Sequence, residues 1–221
     1  MNIASSDAMS HLRLLLHLGD LGLVMPAAAA IGTALLAARG WRMALWWGLL
    51  FGLGAALVGA SKIAFLGWGG GWPALSFKSF SGHATGAMAV LPMLSYLLLY
   101  SLAPRLRHAG AGAGVLLALC VALLLVLFGE HSTSEALAGC LLGAMASMGS
   151  LYLGSPLAGQ AGAQPALRPR PCPRRLLAVV LAALTFIALA WLMKSAHIGY
   201  WMMKAARALS GNHQLYPLSP D

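Results

Sequence analysis

The sequence predicts an all-α fold, a polytopic membrane protein arranged as a six-transmembrane-helix bundle. Three observations predict it. Hydrophobic residues make up 60% of the chain and charged ones only 9%. Aliphatic runs recur at lengths near the roughly 20 residues that a bilayer-crossing helix needs. Short connections holding Gly, Pro and basic residues separate those runs. At 221 residues the chain is read as one membrane-embedded domain over residues 1–221, with no room for several.

The first span is expected over about 18–38, and no removable leader is expected ahead of it, since the start lacks a basic stretch followed by a short apolar core. The second, about 41–61, carries the small pair Gly48/Gly52 and closes at Lys62, where a lysine commonly snorkels to the interface. The third, about 82–102, opens at Ser81, a natural N-cap, and carries Gly82/Gly86. The fourth, about 111–129, contains Cys120, and thiols in such runs behave as small hydrophobes. The fifth, about 135–153, follows Ser132 and Glu135, which fit a capping box, and carries Gly139/Gly143. The sixth, about 176–193, follows a Pro-, Gly- and Ala-rich stretch at about 155–175 that reads as a flexible linker. The tail from about 194 to 221 contains "SAHIGYWMMKAARALSG", which predicts an interfacial helix ended by Gly211.

The formal net charge is +9, but the basic residues are scattered through the connections without interleaved aromatics, which argues against a nucleic-acid partner. They record topology instead. Six spans put Arg39, Arg42, Arg105, Arg107, Arg168, Arg170, Arg174 and Arg175 on one side, which is then cytoplasmic. Both termini and the connections around 62–81 and 130–134 fall on the other, periplasmic, side of a bacterial-type inner membrane. Cys120, Cys140 and Cys172 show neither a disulfide framework nor zinc spacing.

The periplasmic connections gather the polar groups that topology does not explain: Lys62, Lys78, Ser81, His83, Glu130, His131 and Glu135. Ionisable groups at a membrane boundary are costly and mark functional sites when they face one another. Free N–H groups behind Ser81 and Gly82 suit a phosphate, and His83 beside them suits proton donation to a leaving oxygen. Glu135 either caps its helix or holds one nitrogen of His131, freeing the other as a nucleophile. Lys62 and Lys78 are each either ordinary boundary cations or phosphate ligands. Glu130 is expected to point into water.

These residues resemble the type-2 phosphatidic acid phosphatase superfamily of integral-membrane lipid phosphate phosphatases. That family shows Lys, six residues, Arg-Pro; then Pro-Ser-Gly-His; then Ser-Arg, five residues, His, three residues, Asp. Lys62 matches the first block, Ser81, Gly82 and His83 the second, and His131 the third, with Glu135 at the aspartate position. Gly69 and Gly70 stand in place of Arg-Pro, Phe80 in place of the proline, and Leu124 and Leu125 in place of Ser-Arg. The chain thus resembles a divergent member lacking both motif arginines.

The resemblance implies a six-helix membrane layout and a lipid phosphate or pyrophosphate substrate. It further implies nucleophilic attack by His131, protonation of the departing alkoxide by His83, orientation of His131 by Glu135, and phosphate binding by Lys62, Ser81 and Gly82. Lys78 is a substitute cation for the missing arginines. Neither metal nor cofactor is implied. A degenerate member that binds phospholipid headgroups or a partner without hydrolysis stays open, because phosphoryl transfer depends on cations around the equatorial oxygens. A small transporter fits less well, its ionisable groups being clustered at one surface and not at the midplane.

Overall fold

A computed structural model describes residues 12–100, 103–154, 172–212 and 214–217. They form an all-α structure with eight helices: α1 (Leu12–Gly19), α2 (Leu21–Ala37), α3 (Trp41–Trp68), α4 (Gly82–Leu98), α5 (Pro104–Leu127), α6 (Thr133–Gly154), α7 (Cys172–Ser195) and α8 (Ile198–Ser210). Helices α3, α5, α6 and α7 are each long and apolar enough to cross a membrane. α1 and α2 form a further apolar pair bent by 52° at Asp20. α4 has 17 residues, about 25 Å at 1.5 Å per residue.

α4 is the centre of the bundle, packed against α2, α5 and α6. From Ala84 to Val90 every one of its residues is buried. One cluster, with Ile31, Leu35, Met43, Trp47 and Met93, joins α2, α3 and α4. A second, with Ala87, Ala118, Val121 and Leu125, joins α4 to α5 and receives Leu16 and Leu18 of α1. Leucines on the outer faces of α3, α5 and α7, among them Leu53, Leu123 and Leu184, are exposed, as lipid-facing residues would be.

The close approach of α6 to α4 depends on small residues. A Cβ at Gly139 would meet the Ser81 carbonyl oxygen at 2.7 Å and the Thr85 hydroxyl at 3.1 Å, and at Gly143 it would meet Met88 Cβ at 2.7 Å. Ser147 Oγ then donates across the same seam to the Met88 carbonyl at 3.0 Å. The expected packing role of Gly139 and Gly143 therefore describes a real contact. Gly86 likewise faces Val24 of α2. Gly48 and Gly52 do not pack: nothing lies within 4 Å of a Cβ at either.

Two boundaries differ from the sequence reading: α5 starts at Pro104 and not at about 111, because proline is favoured in the first turn of a helix, and α3 ends later than expected. α3 runs on through Lys62 to Trp68, because "KIAFLGW" is apolar and helix-compatible and the first residue able to stop it is Gly69, a left-handed cap at φ 68°. Lys62 is consequently inside the helix, six residues before its end. α8 matches the interfacial segment and stops at Gly211, φ 71°. Tyr200, Trp201, Lys204 and Arg207 are exposed on it, and the Lys204 ammonium lies 5.1 Å from the centre of the Trp201 ring. α8 packs against α3, where Gly67 meets Ser210. The linker expected at 155–175 and Arg168 and Arg170 lie outside the described residues, except that α7 begins at Cys172.

Candidate functional site

The connections 69–81 and 128–132 converge at one end of the bundle, with the start of α4 between them. Ser81 is the N-cap of α4: its buried hydroxyl accepts from the Ala84 N–H at 3.3 Å. Its carbonyl accepts from the Thr85 N–H and hydroxyl, and its own N–H donates to the Glu135 carbonyl at 3.3 Å. The N–H groups of Gly82 and His83 are the first-turn donors left without an intrahelical acceptor. The two readings of Glu135 are both realised. It completes the capping box, with the Glu135 N–H donating to Ser132 Oγ at 3.3 Å and the Ser132 N–H to Glu135 Oε2 at 3.2 Å. The same Oε2 accepts from His131 Nδ1 at 2.9 Å.

The other oxygen, Oε1, accepts from the backbone N–H groups of Lys78 at 2.8 Å and Ser79 at 3.4 Å. Glu135 is thereby a buried carboxylate serving four donors, and it ties the loop before α4 to the start of α6. A carboxylate only accepts, so His131 Nδ1 carries the proton and Nε2 has the free lone pair. Burial pushes the His131 imidazole below its ordinary value of 6.5. The hydrogen bond and charge of Glu135 pull it back, and the charges of Lys62 and His83 add to the lowering. The neutral, nucleophilic form therefore persists to lower pH than in a free histidine.

The His83 ring lies 6.3 Å from the His131 ring, centroid to centroid, at 55°. Lys62 comes up from α3 beneath Gly82, its Nζ 3.7 Å from where a Gly82 Cβ would stand. It is near enough to Glu135 and His131 for their charges to interact. Six of the seven expected site residues thus meet with their functional groups at one place: His131, His83, Glu135, Lys62, Ser81 and Gly82. Lys78 joins through its main chain, while its ammonium lies 5.8 Å from the centre of the Phe65 ring. Glu130 is exposed, as expected.

The positions matched to the missing arginines have structural occupants. Gly69 holds a positive φ, and a Cβ there would meet the Tyr216 ring at 2.9 Å. Leu125 is 2% exposed in the α4–α5 core. Neither position has space for an arginine directed at the histidines.

Sequence reasoning missed α1. Its Arg13 guanidinium lies 5.2 Å from the centre of the Phe128 ring, in the connection that carries His131. At the bend, Asp20 Oδ1 accepts from His83 Nε2 at 2.9 Å and Oδ2 accepts from His17 Nδ1 at 2.7 Å. An acidic residue at the entry of an apolar run was the available signal, since such a group needs a partner.

Below the histidines an apolar cavity of about 270 Å³ opens between α2, α3, α4 and α8. Lys62, Gly82 and His83 line one end of it, and Val24, Met25, Phe51, Val58 and Met202 line the rest. A larger apolar groove of about 660 Å³ between α2 and α3 shares Met25 and Phe51 with it and extends to Leu36 and Trp41.

No family model matches the chain, and no solved structure matches it. A Klebsiella pneumoniae protein, "Uncharacterized 22.5 kDa protein in cps region", is 39% identical over 136 residues. That match covers 61% of this chain and 65% of the relative, just under two thirds of its length.

Proposed function

We propose that the protein is an integral-membrane phosphatase of the type-2 phosphatidic acid phosphatase kind, acting on a lipid phosphate or pyrophosphate through a phosphohistidine. The observation that carries this reading is the 6.3 Å pairing of two imidazoles, one freed as a nucleophile by a buried carboxylate, beside an open helix N-terminus and a lysine. His131 Nε2 attacks phosphorus; the N–P bond forms as the P–O bond to the lipid breaks, and His83 gives its Nδ1 proton to the departing oxygen. Water then attacks the phosphohistidine, passes its proton to His83, and releases phosphate and neutral His131. The route calls for no metal or cofactor.

Charge on the equatorial oxygens is met by Lys62, by the Gly82 and His83 N–H groups and the positive end of the α4 dipole, and by Arg13 at the rim in place of the motif arginines. The apolar cavity and groove running from Lys62 toward Trp41 support a substrate whose hydrocarbon lies between α2 and α3 while its headgroup meets the histidines. In this reading α2 to α7 are six membrane spans and α1 and α8 lie at the outer interface. The site and both termini then face the periplasm from an inner membrane, with Arg39, Arg42, Arg105 and Arg107 on the cytoplasmic side.

Purified protein assayed for phosphate release from phosphatidic acid, phosphatidylglycerol phosphate and a polyprenyl pyrophosphate tests the proposal. Release that is lost in His131→Ala supports it; no release from any of them by folded protein contradicts it. A second reading, a non-catalytic binder of phospholipid headgroups, is favoured by the occupied arginine positions at Gly69 and Leu125. It predicts binding that survives His131→Ala in a protein without turnover.

A further inference from the structure

The two carboxylates at the site divide the work, and the one on α1 and α2 has no counterpart in the motif blocks. Asp20 stands at the 52° bend between α1 and α2, 63 residues from His83 in sequence. It accepts from His83 Nε2 on one oxygen and from His17 Nδ1 on the other. Because a carboxylate cannot donate, this fixes the proton of His83 on Nε2 and turns Nδ1 away from Asp20. His17 is 68% exposed along its side chain and His83 38%, so His83 meets solvent directly and the contact lies at the rim of the site.

The neighbouring residue shows that the contact is built in. A Cβ at Gly19 would lie 2.8 Å from the His83 carbonyl oxygen and 2.9 Å from its Cβ. Only glycine lets the bend press onto the first turn of α4 this closely. That pressure sets Asp20 beside the ring. Among the described residues, the other charged or titratable groups facing His83 are His131 at 6.3 Å between ring centres and Lys62, which lines the same cavity.

We infer that Asp20 is the positioning residue of the proton-transfer half of the reaction, holding His83 in register while His17 anchors its second oxygen. This rests on the proposed phosphatase reading. In the first step His83 loses its Nδ1 proton to the lipid oxygen and becomes a neutral imidazole whose Nε2–H still donates to the Asp20 carboxylate. In the second step Nδ1 takes a proton from the attacking water as the N–P bond breaks. Asp20 stays ionised throughout, stabilising the imidazolium before the first transfer and after the second. Glu135 serves the nucleophile only.

The assignment predicts a dependence on the leaving group. An alkoxide needs a proton to depart, whereas p-nitrophenolate departs without one. The experiment measures single-turnover phosphorylation of the full-length protein in detergent by rapid quench, with short-chain phosphatidic acid and with p-nitrophenyl phosphate. Asp20→Asn is expected to slow phosphorylation by phosphatidic acid on the order of 10-fold to 100-fold and to leave the p-nitrophenyl phosphate burst within about twofold. Asp20→Glu restores most of the loss.

Gly19→Ala keeps every ionisable group, displaces Asp20 from His83 and reproduces the same selective loss. It supplies the test on its own if Asp20→Asn does not fold. Equal slowing with both substrates, or no slowing with phosphatidic acid in either folded variant, overturns the role given to Asp20 while leaving the phosphatase standing. A wild-type protein that shows no burst with either substrate removes the phosphatase reading and this assignment with it.

Discussion

His131 is oriented by a carboxylate four residues further along the chain, whereas His83 is oriented by one 63 residues away. The first pair is buried, with side chains 16% and 7% exposed, and its carboxylate is fixed by three backbone donors besides the histidine. The second is half open, at 38% and 41%, and depends on how α1 and α2 meet α4. In the proposed reaction the nucleophile half is written into one turn of helix, whereas the proton-transfer half is an assembly of distant segments. On that proposal each half suits its task, because a nucleophile needs fixed aim and an acid needs exchange with water.

The sharpest way to break this comparison is at Glu135. Glu135→Gln leaves the shape, but an amide cannot serve four donors and no longer fixes the His131 proton on Nδ1. A loss of on the order of 10,000-fold in kcat is expected for a misassigned tautomer, for every leaving group. Its folding is also weakened by about 1–3 kcal/mol, from backbone donors left unpaired, which thermal melting measures.

Lys62→Met comes next. Removing a preorganised cation from phosphoryl oxygens is expected to lower kcat about 100-fold. It also moves the acidic limb of kcat/KM. His131 attacks only as neutral imidazole, so the rate falls as pH drops through its folded pKa, which lies below 6.5. The Lys62 charge contributes to that lowering, so the limb of the variant shifts toward higher pH. An unmoved limb would show that the ammonium does not act on His131.

Gly19→Ala and Asp20→Asn have the smaller, substrate-selective effects given above, and they sharpen the contrast because they spare the nucleophile. The smallest effect belongs to Glu130→Gln. Exposed beside His131, Glu130 is expected to change activity by less than about twofold, in line with surface substitutions away from special features. A large loss would place it inside the site.

The apolar runs made the six helices α2 to α7 legible within a few residues at most ends, because sustained aliphatic stretches leave a strong hydropathy signal. The exceptions have local causes. The end of α3 was read at Lys62, a charge that a helix of 28 residues carries along its length without stopping. α1 was not read as a helix, because the first apolar run was taken to begin near residue 18 and nothing in "HLGD" but the glycine announces a bend. The Glu135 pair was legible because its partners share a turn; Asp20 was not, because a pairing across 63 residues leaves no spacing to read. The loss of arginine at Gly69 was visible, but its reason, the Tyr216 ring against a left-handed cap, is a tertiary contact.

In the proposed reaction His131 and His83 act on the same phosphoryl group. The most direct measurement is covalent trapping on His83→Ala with 32P-labelled 2,4-dinitrophenyl phosphate, whose leaving group needs no proton. The account predicts a stable, acid-labile phosphohistidine that maps to residue 131 and is absent from the His83→Ala, His131→Ala double variant. Label at no residue, or label that persists when His131 is removed, would contradict it.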